Sequence, residues 1–131
     1  MDIHTYTPTM EQDLFALIAS EGEEWHEYLY NGGKEKYIQT LASSITLVAY
    51  KEGELIGYAR AIVDGAFHLY ICDLLVHQQA RGHNVGNKLM TRFYKLYPSH
   101  VVFVMSDVDT YYETLGYQKE GTIFTVSKPS L

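Results

Sequence analysis

The segment Val76-His77-Gln78-Gln79-Ala80-Arg81-Gly82-His83-Asn84-Val85-Gly86-Asn87 carries residue types suited to holding an anion. It joins an apolar run to a helical pattern. The first turn of a helix leaves backbone N–H groups without internal partners, at the positive end of the helix dipole. Gly82 and Gly86 let the backbone approach a ligand closely. Asn84 accepts a positive φ better than most residues with a side chain. Arg81 adds a fixed charge able to grip phosphate. Gly82 is not followed by Gly-Lys-Ser/Thr at the P-loop offset, and the three-glycine dinucleotide fingerprint is absent. On local chemistry alone, the segment is either a phosphate cradle or an ordinary strand-to-helix connection. His77, His83 and His100 lack metal-ligand spacing. Cys72 is the sole cysteine, which excludes an intrachain disulfide and a Cys-rich metal site.

The elements that must position this loop follow from periodicity. Ile3 to Thr7 alternates as a strand. Thr9 and Gln12 have capping-box spacing ahead of Leu14, Leu17 and Ile18, and that helix fades near Gly22. Asn31-Gly32-Gly33 breaks the chain, and Lys34 to Ala42 predicts a second helix. Strands are expected over Ile45 to Tyr50, Leu55 to Val63 and Phe67 to Val76, with turns at Glu52-Gly53 and Asp64-Gly65. Val85, Leu89, Phe93, Leu96 and Tyr97 space a helix that Pro98 ends. Val101 to Met105 is a short strand, and Asp109 to Leu115 a short helix closed by Gly116. Tyr117 to Lys119 and Thr122 to Ser127 are expected to be the last strands. The order predicts an α+β, or mixed α/β, fold.

The 131 residues form one expected domain, 1–131, with no repeat or linker. Apolar residues at 47% and charged residues at 20% exclude disorder as the main state. The net charge of −6 argues against generic nucleic-acid binding, which rests on Lys and Arg against phosphate. No apolar run approaches membrane-spanning length, and the N-terminus lacks the basic lead of a secretory signal. The expectation is a cytoplasmic protein without a membrane partner. Twelve tyrosines can line a cleft or fill a core.

The loop resembles the acetyl-CoA loop of the GNAT superfamily of N-acetyltransferases, in which Arg/Gln-x-x-Gly-x-Gly/Ala follows a strand ending in Val. Here Val76, Arg81, Asn84 and Gly86 take those places, Asn84 where Gly is usual. Tyr111-Tyr112-Glu113-Thr114-Leu115-Gly116-Tyr117 is similar to the family's aromatic-Tyr-x-x-x-Gly-aromatic signature. Leu55-Ile56-Gly57-Tyr58-Ala59-Arg60, Asp64-Gly65 and Asp73-Leu74-Leu75-Val76 resemble the branch that includes plastid acetyltransferases acting on serotonin-type amines and protein lysines. The resemblance runs from Ile45 to Tyr117. The first 44 residues carry no matched motif.

The resemblance implies a GNAT fold: a central, mostly antiparallel sheet flanked by helices, with the fourth and fifth strands splayed. It implies direct acetyl transfer from acetyl-CoA to a primary amine in a ternary complex, without a metal. Pantetheine would pair with the backbone of Leu74, Leu75 and Val76. The amides of Gly82, His83, Asn84, Val85, Gly86 and Asn87 would cradle the pyrophosphate, with Arg81 beside them. Ser106 would touch pantetheine or satisfy local backbone. Tyr112 would be the general acid for the leaving thiolate, or a packing tyrosine. Tyr111 would pack beside CoA or core. Asp73, turned inward by a strand bulge, or His68 would be the base, or a water chain would serve instead. Tyr70 and Cys72 would face the acceptor by strand alternation. Arg60 pairs with Asp64 across the hairpin or walls the acceptor cleft. Trp25, His26, Tyr28 and Tyr30 form an aromatic pocket for an arylalkylamine or Lys side chain, or pack the core. The alternative function is a catalytically weak CoA-binding sensor or interaction module. Monomer and homodimer are both open.

Overall fold

The computed structural model describes residues 1–130. Nine regular elements follow one another: β1 (Asp2–Thr5), α1 (Glu11–Ala19), α2 (Gly33–Ala42), β2 (Ile45–Lys51), β3 (Glu54–Asp64), β4 (His68–Val76), α3 (Val85–Leu96), β5 (Val101–Val104) and α4 (Asp109–Thr114). The strands form one sheet in the order β1-β2-β3-β4-β5. All neighbours are antiparallel except β4 and β5, which run parallel. A parallel pair needs a crossover, and α3 supplies it.

Turn chemistry sets the meander. Glu52 and Gly53 both take positive φ, 52° and 80°, which suits the twist of a two-residue hairpin. The helices then cover both faces. Leu14, Ile18, Tyr37 and Leu41 of α1 and α2 pack on Val48, Tyr58 and Leu75. Val85, Leu89, Met90 and Phe93 of α3 pack on the opposite face, against Leu47, Ala49, Ala59, Leu69 and Ile71. The small residues let α3 come close. A Cβ on Gly57 would lie 3.3 Å from Val85 Cγ1.

One irregularity decides what the site contains. The β3–β4 register passes from Arg60↔Asp73 to Ala61↔Ile71, so Cys72 is an extra residue in β4. Such a bulge interrupts strand alternation. Leu69 and Ile71 pack on the α3 side, whereas Asp73 meets Tyr37 and Leu75 packs with α1 and α2.

Three local expectations differ from the structure. The Thr9–Gln12 capping box does not form: the Thr9 hydroxyl bonds that of Thr7 at 2.7 Å, and a 3-10 turn, Pro8–Met10, precedes α1. A further 3-10 helix occupies Glu23–Tyr28. Neither Tyr117–Lys119 nor Thr122–Ser127 is a strand. A strand exists through its ladder partner, and this tail has none among the described residues. Phe124 stays 83% exposed. On the outer edge of β5, the Val102 N–H is taken by Tyr94 Oη at 3.2 Å. No helix of the described residues is long and apolar enough to cross a membrane.

Candidate active site

β4 and β5 separate halfway along β4. Their register ends at Ile71↔Val104, and Met105 N–H still reaches Ile71 O at 3.0 Å. From Cys72 to Val76, β4 has β3 on one side and no strand on the other. A cavity of about 270 Å³ opens beside this free edge, lined by Cys72, Asp73, Leu74, Met105, Ser106 and Tyr112.

At the end of β4, His77 N–H bonds Ile56 O at 2.8 Å and leads into the loop. Gly82 and Asn84 take φ of +83° and +64°. Asn84 caps α3 in the left-handed conformation that its residue type tolerates. Lys88 N–H bonds Asn84 O at 3.1 Å, so the N–H groups of Val85, Gly86 and Asn87 precede the first helical bond. The Val85 side chain is core, and its backbone is what it offers the loop. His83 Nδ1 lies 3.3 Å from Ala80 O, which ties its ring to the loop. Asn87 Oδ1 accepts the Tyr117 hydroxyl at 2.6 Å and links the helix start to the chain after α4.

Arg81 does not hang free over this cradle. Its Nε donates to Val76 O at 3.0 Å, and its Nη2 pairs with Glu21, whose side chain is only 5% exposed. The guanidinium therefore pins the loop to the strand end and to the segment after α1. The Tyr111 ring lies over Gly86, and burial raises its phenol pKa. The Ser106 hydroxyl donates to Asp109 Oδ1 at 2.8 Å, so its proton is committed at the start of α4.

Tyr112 reaches the cavity from α4, with Tyr111 against its edge at 5.0 Å and Tyr117 stacked at 6.2 Å. Burial, then the charge of Asp107, pushes its phenol up to about 12. It holds its proton at any physiological pH. Burial also raises the Cys72 thiol, which keeps it from being a ready thiolate nucleophile.

The bulge brings Asp73 inward, where it is 8% exposed. Its oxygens accept Tyr28 Oη and Tyr37 Oη at 2.7 Å each and Arg60 Nε at 2.5 Å. Three donors leave little lone-pair capacity for taking a proton from an amine. Arg60 pairs with Asp73, not with Asp64, which instead meets His68 at 3.1 Å. His68 and Tyr70 line neither large cavity. Both lie against Phe103 of β5 at 5.4 Å, Tyr70 stacked and His68 tilted. Tyr70 lies before the free edge begins at Cys72, where β4 is still paired with β5 and Tyr70 sits opposite Phe103.

Trp25 and Tyr28 both line the cavity that Tyr112 reaches, 5.9 Å apart edge to face. The residues not anticipated are carboxylates. Glu24, Glu27 and Asp107 line the same cavity, and no Lys or Arg does. Glu24 and Glu27 lie either side of Trp25 in the sequence, on a 3-10 helix that has no apolar period to mark it. Behind Tyr28 lies a larger cavity of about 710 Å³, which Arg60, Lys36 and Tyr37 help to line. Among the described residues, no three His, Cys, Asp or Glu side chains group as metal ligands.

No curated protein matches the chain. Solved structures share its fold at low identity. A GNAT family protein from Streptococcus pneumoniae is 18% identical, with a TM-score of 0.72, and the match covers 97% of this chain and 98% of that one. An aminoglycoside 6'-N-acetyltransferase from Acinetobacter haemolyticus is 17% identical, at 99% of both chains and a TM-score of 0.71. Another aminoglycoside 6'-N-acetyltransferase, solved with coenzyme A, is 20% identical over 88% of this chain and 73% of that one, with a TM-score of 0.65. The acetyltransferase (GNAT) family matches residues 10–117. Since that match takes in everything from α1 to the end of the Tyr111–Tyr117 signature, the protein belongs to the GNAT family of acetyltransferases.

Proposed function

We propose that the chain moves acetyl from acetyl-CoA to a primary amine, either a small amine or an exposed Lys or N-terminal amine. One observation carries this reading. A half-buried, protonated phenol at Tyr112 shares a cavity with the free edge of β4 and with the carboxylates of Glu24, Glu27, Asp73 and Asp107.

The cradle suits a CoA-type molecule. The unpaired edge of Leu74 to Val76 offers backbone groups to pantetheine amides, and the N–H groups of Val85, Gly86 and Asn87 face the place for a pyrophosphate. Acetyl-CoA, when bound, supplies an activated thioester. Tyr112 holds a proton at Oη for the departing sulfur. Glu24, Glu27 and Asp107 attract the acceptor as an ammonium ion, and an exposed carboxylate or its water takes the proton the amine must lose. Asp73 serves as a positioning group that holds Tyr28 and Arg60.

The alternative, a CoA-binding module with weak turnover, is favoured by the three donors that already hold Asp73. Two measurements decide. Thermal unfolding is followed with acetyl-CoA, CoA and ADP, and thiol release is followed over a panel of amines. A ligand at 100 times its dissociation constant stabilises by roughly 2.7 kcal/mol. Shifts with both CoA species but not ADP, together with thiol release on an amine, are expected. Shifts without release on any amine would favour the module, and no shift would overturn both readings.

A further inference from the structure

The two cavities meet at Glu27 and Tyr28, which line both, but their charges differ. The smaller one, beside Tyr112, carries carboxylates and no Lys or Arg. The larger one is lined by Lys36 and Arg60, with Glu27 at the shared wall its sole carboxylate.

Arg60 is 9% exposed, and the outer edge of its guanidinium is unspent. Nε–H goes to Asp73 Oδ2 and one Nη1–H to Ser44 Oγ at 3.2 Å. The other donors of its five N–H groups have no protein acceptor among the described residues. Asp73 takes only the Nε–H of Arg60; its other donors are Tyr28 and Tyr37. A planar fork of N–H donors at the wall of a 710 Å³ cavity matches a carboxylate, which accepts two parallel bonds from it. Lys36 lines the same cavity and has no carboxylate partner among the described residues. Tyr28, in the wall both cavities share, stacks on Tyr37 at 4.0 Å and gives the larger cavity an apolar flank.

We propose that the acceptor is an amine that also bears a carboxylate. The amine lies in the carboxylate-lined cavity beside Tyr112, and the substrate's carboxylate lies in the larger cavity against Arg60 and Lys36. This inference rests on the acetyl-transfer reading above. A diamine of the same length would bring a second cation to Arg60 and Lys36, and is disfavoured for that reason.

The test uses the full chain with acetyl-CoA. Short ω-amino carboxylates are each compared with their own carboxamide and with the matching diamine. The carboxylate is expected to exceed its amide in kcat/KM by about tenfold, as a charge-assisted bond to Arg supplies. Lys36→Glu, at an exposed helical position, is expected to bring that carboxylate-to-amide ratio close to one. Equal kcat/KM for carboxylate and amide, or preference for the diamine, overturns the inference while leaving acetyl transfer standing. If no amine is turned over, acetyl transfer fails, and saturation-transfer NMR with 6-aminohexanoate and 6-aminohexanamide in the presence of CoA then decides. Contact with the carboxylate alone supports the larger cavity as its site, and equal or absent contact overturns it.

Discussion

A Cβ placed on Gly86 would stand 2.5 Å from the Tyr111 hydroxyl, while its next contacts, Leu74 Cδ2 at 3.5 Å and Tyr111 Cζ at 3.7 Å, are ordinary. A single side-chain oxygen therefore crowds any residue larger than Gly at this position in the first turn of α3. Gly86→Ala is expected to cost about 1–3 kcal/mol, the usual range for overpacking. In a Tyr111→Phe background the cost should fall below about 1 kcal/mol. Denaturant unfolding of the four proteins checks this, and an equal cost in both backgrounds would disprove the contact.

Tyr112→Phe should lower kcat by about a hundredfold or more, the scale of lost general acid catalysis, with a small change in KM for acetyl-CoA. Because burial pushes this phenol up to about 12, the wild-type rate should show no fall assignable to Tyr112 below about pH 10. A basic limb near pH 8 that vanishes in Tyr112→Phe would contradict the assignment.

Stability should decline at alkaline pH. Burial raises the phenol pKa values of Tyr37 and Tyr58, and of Tyr28 beside Asp73. In the unfolded chain these phenols ionise near pH 10. Above that pH the unfolded state binds fewer protons than the folded one, so the stability present below pH 10 is lost as pH rises. Each such tyrosine contributes a slope of up to about 1.4 kcal/mol per pH unit. Tyr37→Phe should make the decline between pH 10 and 11 shallower. An unchanged slope in that variant would count against a buried neutral Tyr37.

Asp73 separates positioning from catalysis. Removing one partner of a buried ion pair costs about 3–5 kcal/mol, so Asp73→Ala should lower Tm by roughly 10 °C or more in a chain this size. Asp73→Asn keeps acceptor oxygen for one tyrosine and should cost less. If Asp73 positions and does not take the proton, the acidic limb of the pH–rate profile survives in Asp73→Asn. Its disappearance would restore Asp73 as the base.

The Arg81–Glu21 bridge ties the loop to the segment leading to Trp25 and Tyr28. Glu21→Gln should raise the acetyl-CoA Kd about threefold to tenfold, because the loop then pays more ordering entropy on binding. Isothermal titration reads this directly. An unchanged Kd would mean the loop holds its shape without the bridge.

Much of this protein was legible along the chain. Asn84 reads as a residue that accepts a positive φ, and it takes one, because that tolerance is a local property. Strands β2, β3 and β4 and helices α2 and α3 lie where periodicity and turn residues put them, since each is written within its own window. The GNAT fold followed from motifs of the same short range. Tertiary structure decided the partners. One extra residue at Cys72 turned Asp73 toward Arg60 and left Asp64 to His68. Arg81 found Glu21, sixty positions earlier. Glu24, Glu27 and Asp107 converge on one cavity from opposite ends of the chain. The β-prone tail from Tyr117 made no strand, because β-propensity describes a residue while a ladder bond needs a second strand within reach. The chain alone therefore determined which backbone shapes were possible. Which charges face one another was settled only when the sheet, its bulge and its helices packed together.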